Sequence, residues 1–252
     1  MRIHLLGVAG SGMSGLALLL LEMGHRVSGS DRVTSRETER LRGLGLDFSS
    51  PHSAEAVADA EVVVYSSAIK KENPAMVAAG ESGIQTMRRA ECLAAILHAK
   101  AGVVVSGTHG KTTTSAMCAH VLNKGGKGVS HYVGAEIPVL GANAHWDEGS
   151  DNLVAEGDES DGTLALYQPA WSIVLNVEAE HLDYYKDLEQ IKGVFTQLLD
   201  QTKEGIIYYA GDEPARDLCA GRKGAISYGW EESGADFVAT DVKEGRGSTS
   251  FT

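Results

Sequence analysis

Positive charge is in short supply in this chain of 252 residues: 22 lysines and arginines stand against 34 aspartates and glutamates, a formal charge of −12. A surface of that sign repels phosphate backbones and anionic lipid, which argues against nucleic acid or a membrane surface as the main partner. An anionic small molecule would need local positive sites. Cysteine is equally sparse. Cys92, Cys118 and Cys219 are far apart, odd in number and lack CxxC spacing. A disulfide framework or a zinc site is therefore not expected, and a reducing cytosol is. No apolar run approaches the ~20 residues of a membrane span. Glycines 7, 10, 12 and 15 break up the early apolar stretch and no small-x-small cleavage site follows it, so no secretory leader is expected either. The predicted location is the cytoplasm.

Glycine, by contrast, is plentiful, with 30 residues beside a hydrophobic share of 43%. That balance fits an α/β protein rich in strand-to-helix turns, long enough for two domains. Apolar runs predict strands at 2–6, 26–30 and 61–65, alternating with helices at 13–23, 37–44 and 90–99. Alternation of this kind implies a parallel sheet with covered faces. A boundary is expected around His98–Gly102. A second α/β block then predicts strands at 152–155, 171–176 and 205–209 and helices at 112–122 and 188–200. From Ala235 the chain alternates like strands.

The most informative stretch is VVVSGTHGKTTT, Val103 to Thr114. A buried strand that stops at glycines and restarts as a helix leaves unpaired N–H groups facing outward, and the helix dipole adds partial positive charge there. Lys111 can place an ammonium on β/γ-phosphates, and the Thr112 hydroxyl can ligate Mg²⁺. The combination points to ATP or GTP. Val105 stands where the broad P-loop pattern wants its first glycine, so the loop is the shorter Gly107–Thr114.

Three further segments carry candidate chemistry. Gly10-Ser11-Gly12-Met13-Ser14-Gly15 follows the first strand and satisfies G-x-G-x-x-G, with Asp31 closing the next strand. By rule this is a dinucleotide fingerprint with Asp31 on a ribose hydroxyl, so an NAD site competes with any other diphosphate. In LVAEGDESDG, Leu153 to Gly162, the acids Glu156, Asp158, Glu159 and Asp161 follow an apolar strand. Such a run is either a solvated, helix-capping turn or a Mg²⁺ site at a strand C-terminus. In NVEAEHLDYY, Asn176 to Tyr185, His181 also follows an apolar strand; a lone histidine is either structural or a ligand sharing a sheet edge with Glu156.

The short G-T-H-G-K-T-T-T loop resembles the ATP loop of the Mur ligases, the family that adds amino acids to the peptidoglycan precursor. The Gly7–Ala17 turn is similar to the family's UDP-holding turn, with Ala9 where a glycine is usual. Asn176–Asp183 resembles its Asn-Ile-Glu-Ala-Asp-His-Met-Asp segment, with Glu180 for the usual aspartate. Tyr65-Ser66-Ser67-Ala68-Ile69 and Arg88-Arg89-Ala90-Glu91 are similar to its uridine-site and helix-start segments. The resemblance spans residues 3 to about 200.

That resemblance implies an N-terminal Rossmann-like, parallel-sheet, UDP-binding domain (1–100) followed by a P-loop-type α/β ATP-binding central domain (101–252), the latter incomplete. It implies an ATP- and Mg²⁺-dependent ligase joining L-alanine to the lactyl carboxylate of UDP-N-acetylmuramate through an acyl phosphate. A recycled tripeptide is the alternative amine. An NAD-dependent oxidoreductase and a non-catalytic precursor-binding module are the readings outside the ligases. The residues implied for catalysis are Lys111, Thr112, Glu156 and His181, with Thr112, Glu156 and His181 on metal. ATP would be held by Gly107, Thr108, His109, Gly110, Lys111, Thr112 and Thr113, with His109 facing the acyl phosphate. The UDP substrate would meet Gly10, Ser11, Gly12, Met13, Ser14, Asp31, Ser66, Ser67, Ala68, Glu159 and Ser160. Family members carry a further C-terminal domain, and nothing in these 252 residues corresponds to it, so ligation by this chain alone is not expected.

Overall fold

The computed structural model describes residues Met1–Thr252, the side chain of Glu232 excepted. The chain divides into two compact units. One comprises Met1–Lys100 with Ala116–Val154, the other Ala101–Ser115 with Ala155–Thr252. No helix among the described residues is long and apolar enough to cross a membrane.

In the first unit, strands β1 (Arg2–Leu6), β2 (Arg26–Ser30), β3 (Asp47–Ser49), β4 (Val62–Tyr65) and β5 (Gln85–Arg88) form one sheet in the order β3-β2-β1-β4-β5. Every pairing is parallel. Helices α1 (Ser11–Glu22), α2 (Arg36–Gly43), α3 (Pro74–Glu81) and α4 (Arg89–Leu97) link them. Chain order reverses between β1 and β4, so the turns that follow these two strands flank a topological switch point, the usual ligand crevice of an open parallel sheet. Leu5, Leu6, Val63 and Val64 are fully buried in the central strands, as are Leu16 and Leu19 of α1. Burial of side chains this size stabilises by about 1.5–3 kcal/mol each. Local chemistry sets the helix starts. Ser35 caps α2 in a reciprocal pair with Thr38, and Asn73 caps α3 ahead of Pro74.

The second sheet has the order β13-β12-β11-β10-β6-β9-β7-β8. Its members are β6 (Ala101–Ser106), β7 (Ser130–Tyr132), β8 (Ala144–His145), β9 (Asn152–Glu156), β10 (Trp171–Val174), β11 (Gly205–Tyr209), β12 (Ala225–Trp230) and β13 (Phe237–Ala239). The β6–β10–β11–β12–β13 pairings are all parallel. Helix α5 (Lys111–Lys124) follows β6; α6 (Leu188–Asp200) and α7 (Glu213–Cys219) follow β10 and β11. On α6, Ile191, Phe195, Leu198 and Leu199 are buried at helical spacing, and Asp187 caps its first turn. A hairpin, β14 (Lys243–Gly245) with β15 (Ser248–Ser250), follows β13.

The predicted strands and helices at 2–6, 26–30, 188–200 and 205–209 have the same bounds in the structure. The strand predicted over 171–176 is shorter: past Val174, Leu175 N–H still reaches Ser106 O at the end of β6, but Asn176 O accepts Thr108 N–H from the turn beyond. Elements without a strong apolar period, namely β3, α3, β5, β7, β8, α7 and β12, were outside the sequence reading.

A polar seam lies within the first sheet. His4 on β1 is only 1% exposed; its Nδ1 is 2.8 Å from Ser28 Oγ and its Nε2 3.0 Å from Ser30 Oγ. Ser30 Oγ is also 2.8 Å from His52 Nδ1. Burial, and next the neighbouring His52, push the pKa of His4 down from 6.5 to about 4. Between those two values the unfolded chain binds a proton that native His4 refuses, so stability is lost as pH falls through this window. We expect the unfolding free energy to drop by up to about 3 kcal/mol across it from this residue. Chemical denaturation at each pH checks this: His4→Gln should flatten the slope, and an unchanged slope would place the acid sensitivity elsewhere.

Candidate functional site

The turn between β6 and α5 is built around two glycines in left-handed backbone, Gly107 at φ +144° and Gly110 at φ +84°. A Cβ on Gly107 would sit 3.0 Å from Leu175 Cβ and 3.1 Å from the backbone N and O of Asn176, so both conformation and space demand glycine there. Gly110 has no side chain with which to cap α5. Among the described residues, the N–H groups of Gly110, Lys111, Thr112 and Thr113 have no protein acceptor. Four unpaired donors at the start of a helix of 14 residues form a ready anion site.

Two loop residues are tied up differently. Thr108 N–H donates to Asn176 O (3.0 Å) and His109 N–H to Asn176 Oδ1 (2.7 Å). The imidazole of His109 lies 3.8 Å from Glu178 and 3.6 Å from Glu180, all three well exposed.

Lys111 Nζ donates to Gly107 O (2.7 Å), Thr108 O (3.1 Å) and the Glu159 carboxylate (2.9 Å). The Glu159 side chain is 2% exposed and that of Lys111 15%. The sequence placed Glu159 with the UDP substrate; the fold sets its carboxylate against the loop lysine. Thr112 Oγ1 donates to Glu156, 3.0 Å from both carboxylate oxygens. His181 Nε2 is 3.5 Å from Glu159 Oε1, so the histidine meets Glu159. His181 itself is held at φ +54°, a strained conformation for a residue with a Cβ. Its carbonyl accepts the N–H groups of Tyr184 and Tyr185, both at 2.9 Å. Tyr185 Oη donates to Glu159 O; burial raises the Tyr185 pKa to about 12, so it stays a donor.

The other two acids brace the turn. Asp158 Oδ1 accepts Ser160 N–H at 3.0 Å and Asp161 Oδ1 accepts Thr163 N–H at 3.2 Å, each bonding two residues on. The fold thus forms two polar pairs on neighbouring residues of α5, Lys111 with Glu159 and Thr112 with Glu156, and sets His181 3.5 Å from the first.

For a divalent cation, the adjoining Thr112 hydroxyl and Glu156 carboxylate supply hard oxygen donors, which Mg²⁺ prefers, with waters completing its shell. No cluster of three or more His, Cys, Asp or Glu residues suited to a metal exists among the described residues. The Thr112–Glu156 pair fits a Mg²⁺ that keeps much of its shell as water.

In the first unit, α1 begins at Ser11, and Gly10 before it offers no side-chain cap. Its glycines serve different ends. A Cβ on Gly12 would lie 2.9 Å from Arg89 Nη1 and 3.1 Å from Tyr132 Oη; one on Gly15 would lie 3.0 Å from Asn143 Nδ2. Tyr132 Oη donates to Gly12 O (2.8 Å), and Asn143 Nδ2 to Ser11 O (2.9 Å). Tyr132, Asn143 and Arg89 thus press on the helix start; no local sequence signal points to the first two. Ser14 Oγ turns back to Ser11 O (3.0 Å), and Met13 is buried. Asp31 accepts N–H bonds from Ala9 (2.9 Å) and Arg32 (2.7 Å), bracing the turn. Ser66 follows β4, with its N–H on Leu6 O at 3.2 Å, and Ser67 and Ala68 are exposed beside it.

Residues 2–101 match the model described as Mur ligase family, catalytic domain, and 105–252 the Mur ligase middle domain. A UDP-N-acetylmuramate–L-alanine ligase of Geobacter sp. (strain M21) is 43% identical over 99% of this chain and 54% of its own length. One from Geotalea uraniireducens is 41% identical, over 99% and 55%. The chain spans about half the length of the curated relatives it matches. Among solved structures, UDP-N-acetylmuramate-alanine ligase MurC from Thermotoga maritima superposes with a TM-score of 0.87 at 28% identity, covering 99% of this chain and 56% of that one. The UDP-N-acetylmuramate:L-alanyl-γ-D-glutamyl-meso-diaminopimelate ligase from Neisseria meningitides gives 0.85 at 25%, covering 99% and 82%.

The two glycine turns should respond oppositely to a methyl group. Gly10 has φ −73° and only Gly7 O, at 3.6 Å, near its Cβ position, so Gly10→Ala should leave the thermal midpoint nearly unchanged. Gly107→Ala combines strain with a backbone clash and should cost about 1–3 kcal/mol or more. Equal midpoints for the two variants would contradict this account of the loop.

Proposed function

The chain belongs to the Mur ligase family, and on that premise we propose that it supplies the ATP- and UDP-substrate-binding parts of a UDP-N-acetylmuramate–L-alanine ligase. The reaction makes an amide in two steps. A carboxylate is a poor acylating agent because oxide is a poor leaving group. Transfer of the γ-phosphoryl group of ATP to the lactyl carboxylate forms an acyl phosphate and ADP. The amine of L-alanine then attacks the carbonyl carbon, the C–N bond forms, phosphate leaves and the amine proton is lost. The names of the relatives support L-alanine over a tripeptide as the amine.

Most of the catalytic work in phosphoryl transfer is positioning and charge stabilisation. The free N–H groups of Gly110–Thr113 are assigned to the phosphates, within an ATP loop running from Gly107 through Thr108 and His109. Lys111 exchanges Glu159 for a phosphate oxygen. Thr112 and Glu156 would hold Mg²⁺, which when bound neutralises phosphoryl oxygens; His181 stands by Glu159. In the first unit, Gly10, Ser11, Gly12, Met13 and Ser14, with Asp31 and Ser66–Ala68 at the neighbouring strand ends, take the UDP part. Glu159 serves the phosphoryl side through Lys111, and Ser160 remains with the UDP substrate. We assign residues 1–100 as the UDP-binding domain and 101–252 as the ATP-binding central domain, working in the cytoplasm.

What carries the reading is the uncapped helix start at Gly110–Thr113, with Glu159 on Lys111 and Glu156 on Thr112. Removing Lys111 alone would strand the buried Glu159 carboxylate, at a cost of about 3–5 kcal/mol. The clean test is therefore the double variant Lys111→Ala with Glu159→Gln. Calorimetric titration should show at least a tenfold loss of ATP affinity and UDP-N-acetylmuramate affinity within twofold of the parent. Undiminished ATP binding would refute the assignment of the loop.

A further inference from the structure

Asn176 stands just past the end of β10, where the regular ladder with β6 finishes at the Val174–Ser106 pair. Beyond it, the two chains remain stitched. Leu175 N–H donates to Ser106 O at 3.0 Å, and Thr108 N–H to Asn176 O at 3.0 Å. Glu178 N–H donates to Thr108 Oγ1 at 2.8 Å. The Asn176 side chain then grips one residue at two points. Its Oδ1 accepts His109 N–H at 2.7 Å, and its Nδ2 donates to His109 O at 3.1 Å.

A primary amide reading both the donor and the acceptor of one residue fixes that residue's backbone orientation. The consequence falls on the anion site. The N–H groups of Thr108 and His109 are turned toward Asn176, and those of Gly110 to Thr113 are left for a ligand. We propose that Asn176 is a positioning residue for the phosphate loop, its amide deciding which loop N–H groups face the triphosphate. This rests on the reading of the loop as the ATP site. The amide touches no reacting atom in this arrangement; it acts through His109.

The amide has a titratable mimic. In Asn176→Asp, an ionised carboxylate keeps the acceptor for His109 N–H but sets negative charge against His109 O. A protonated carboxyl donates one bond and accepts the other, as the amide does. The charged and titratable groups around it, His109, Glu178, Glu180, Lys111 and Asp212, whose carboxylate accepts Val177 N–H, are common to every variant, so the affinity ratio to the parent at each pH isolates the introduced carboxyl.

ATP titrations of the parent, Asn176→Ala and Asn176→Asp at pH 8 and pH 5, each with its thermal midpoint, test the proposal. Expected are a tenfold or greater loss for Asn176→Ala at both pH values in folded protein, and a similar loss for Asn176→Asp at pH 8. At pH 5, Asn176→Asp should recover to within about threefold of the parent, since a carboxyl facing a carbonyl is protonated at raised pH. Parent-like affinity in the folded variants, whatever their midpoints, would reduce Asn176 to a structural role and overturn the proposal. So would a pH-independent ratio for Asn176→Asp, which decides the matter alone if Asn176→Ala does not fold. Equal ATP binding by the parent and the Lys111→Ala, Glu159→Gln double variant would instead sink the ATP-loop reading, an outcome separate from these.

Discussion

The ammonium of Lys111 lies 2.9 Å from the carboxylate of Glu159, whose side chain is 2% exposed. Taking either charge out of water is costly, and their mutual attraction compensates only while both are present and well bonded. Much of the site depends on that condition. Two loop carbonyls, of Gly107 and Thr108, also turn to the ammonium. The turn after β9 is braced by Asp158 and Asp161 so that Glu159 reaches inward. Tyr185 bonds the main chain of Glu159, and His181 approaches its carboxylate. A phosphate arriving at α5 offers Lys111 a second anion in the same place, so the lysine is stored close to where it would act.

The two glycine-rich turns look alike in sequence and differ in physical cause. At Gly107, glycine is required by left-handed backbone and by the close approach of Leu175 and Asn176. At Gly12 and Gly15, the backbone is ordinary helix, and what needs the space is packing by Arg89, Tyr132 and Asn143. A G-x-G-x-x-G match therefore carries less information about a diphosphate than its regularity implies, because two of its glycines are explained by helix packing. The Lys-Thr loop carries more: Lys111 and Thr112 meet acids at and just past the end of a different strand, β9.

Legibility in the sequence tracked distance along the chain. Strong apolar periods located β1, β2, β10, α6 and β11, and strand–glycine–helix grammar located the turn from β6 into α5, since each is decided within about a dozen residues. Glu156 and His181 were legible as residues at strand ends; that Glu156 accepts a hydrogen bond from Thr112 is a fact of the fold. The pairing of His181 with Glu159 was not legible, because in the acidic run only tertiary packing distinguishes the inward carboxylate from those bracing the turn. Asn176 and Tyr132 were also silent: an asparagine after a strand and a tyrosine in a short one are ordinary until the partner backbone is in place.

The most direct measurement is a crystal structure of the chain with Mg²⁺ and a non-hydrolysable ATP analogue. The account predicts the β- and γ-phosphates within hydrogen-bonding distance of the N–H groups of Gly110 to Thr113, with Lys111 Nζ drawn from Glu159 to a phosphate oxygen. A triphosphate seated at the Gly10–Ser14 turn, with Lys111 still on Glu159, would contradict it.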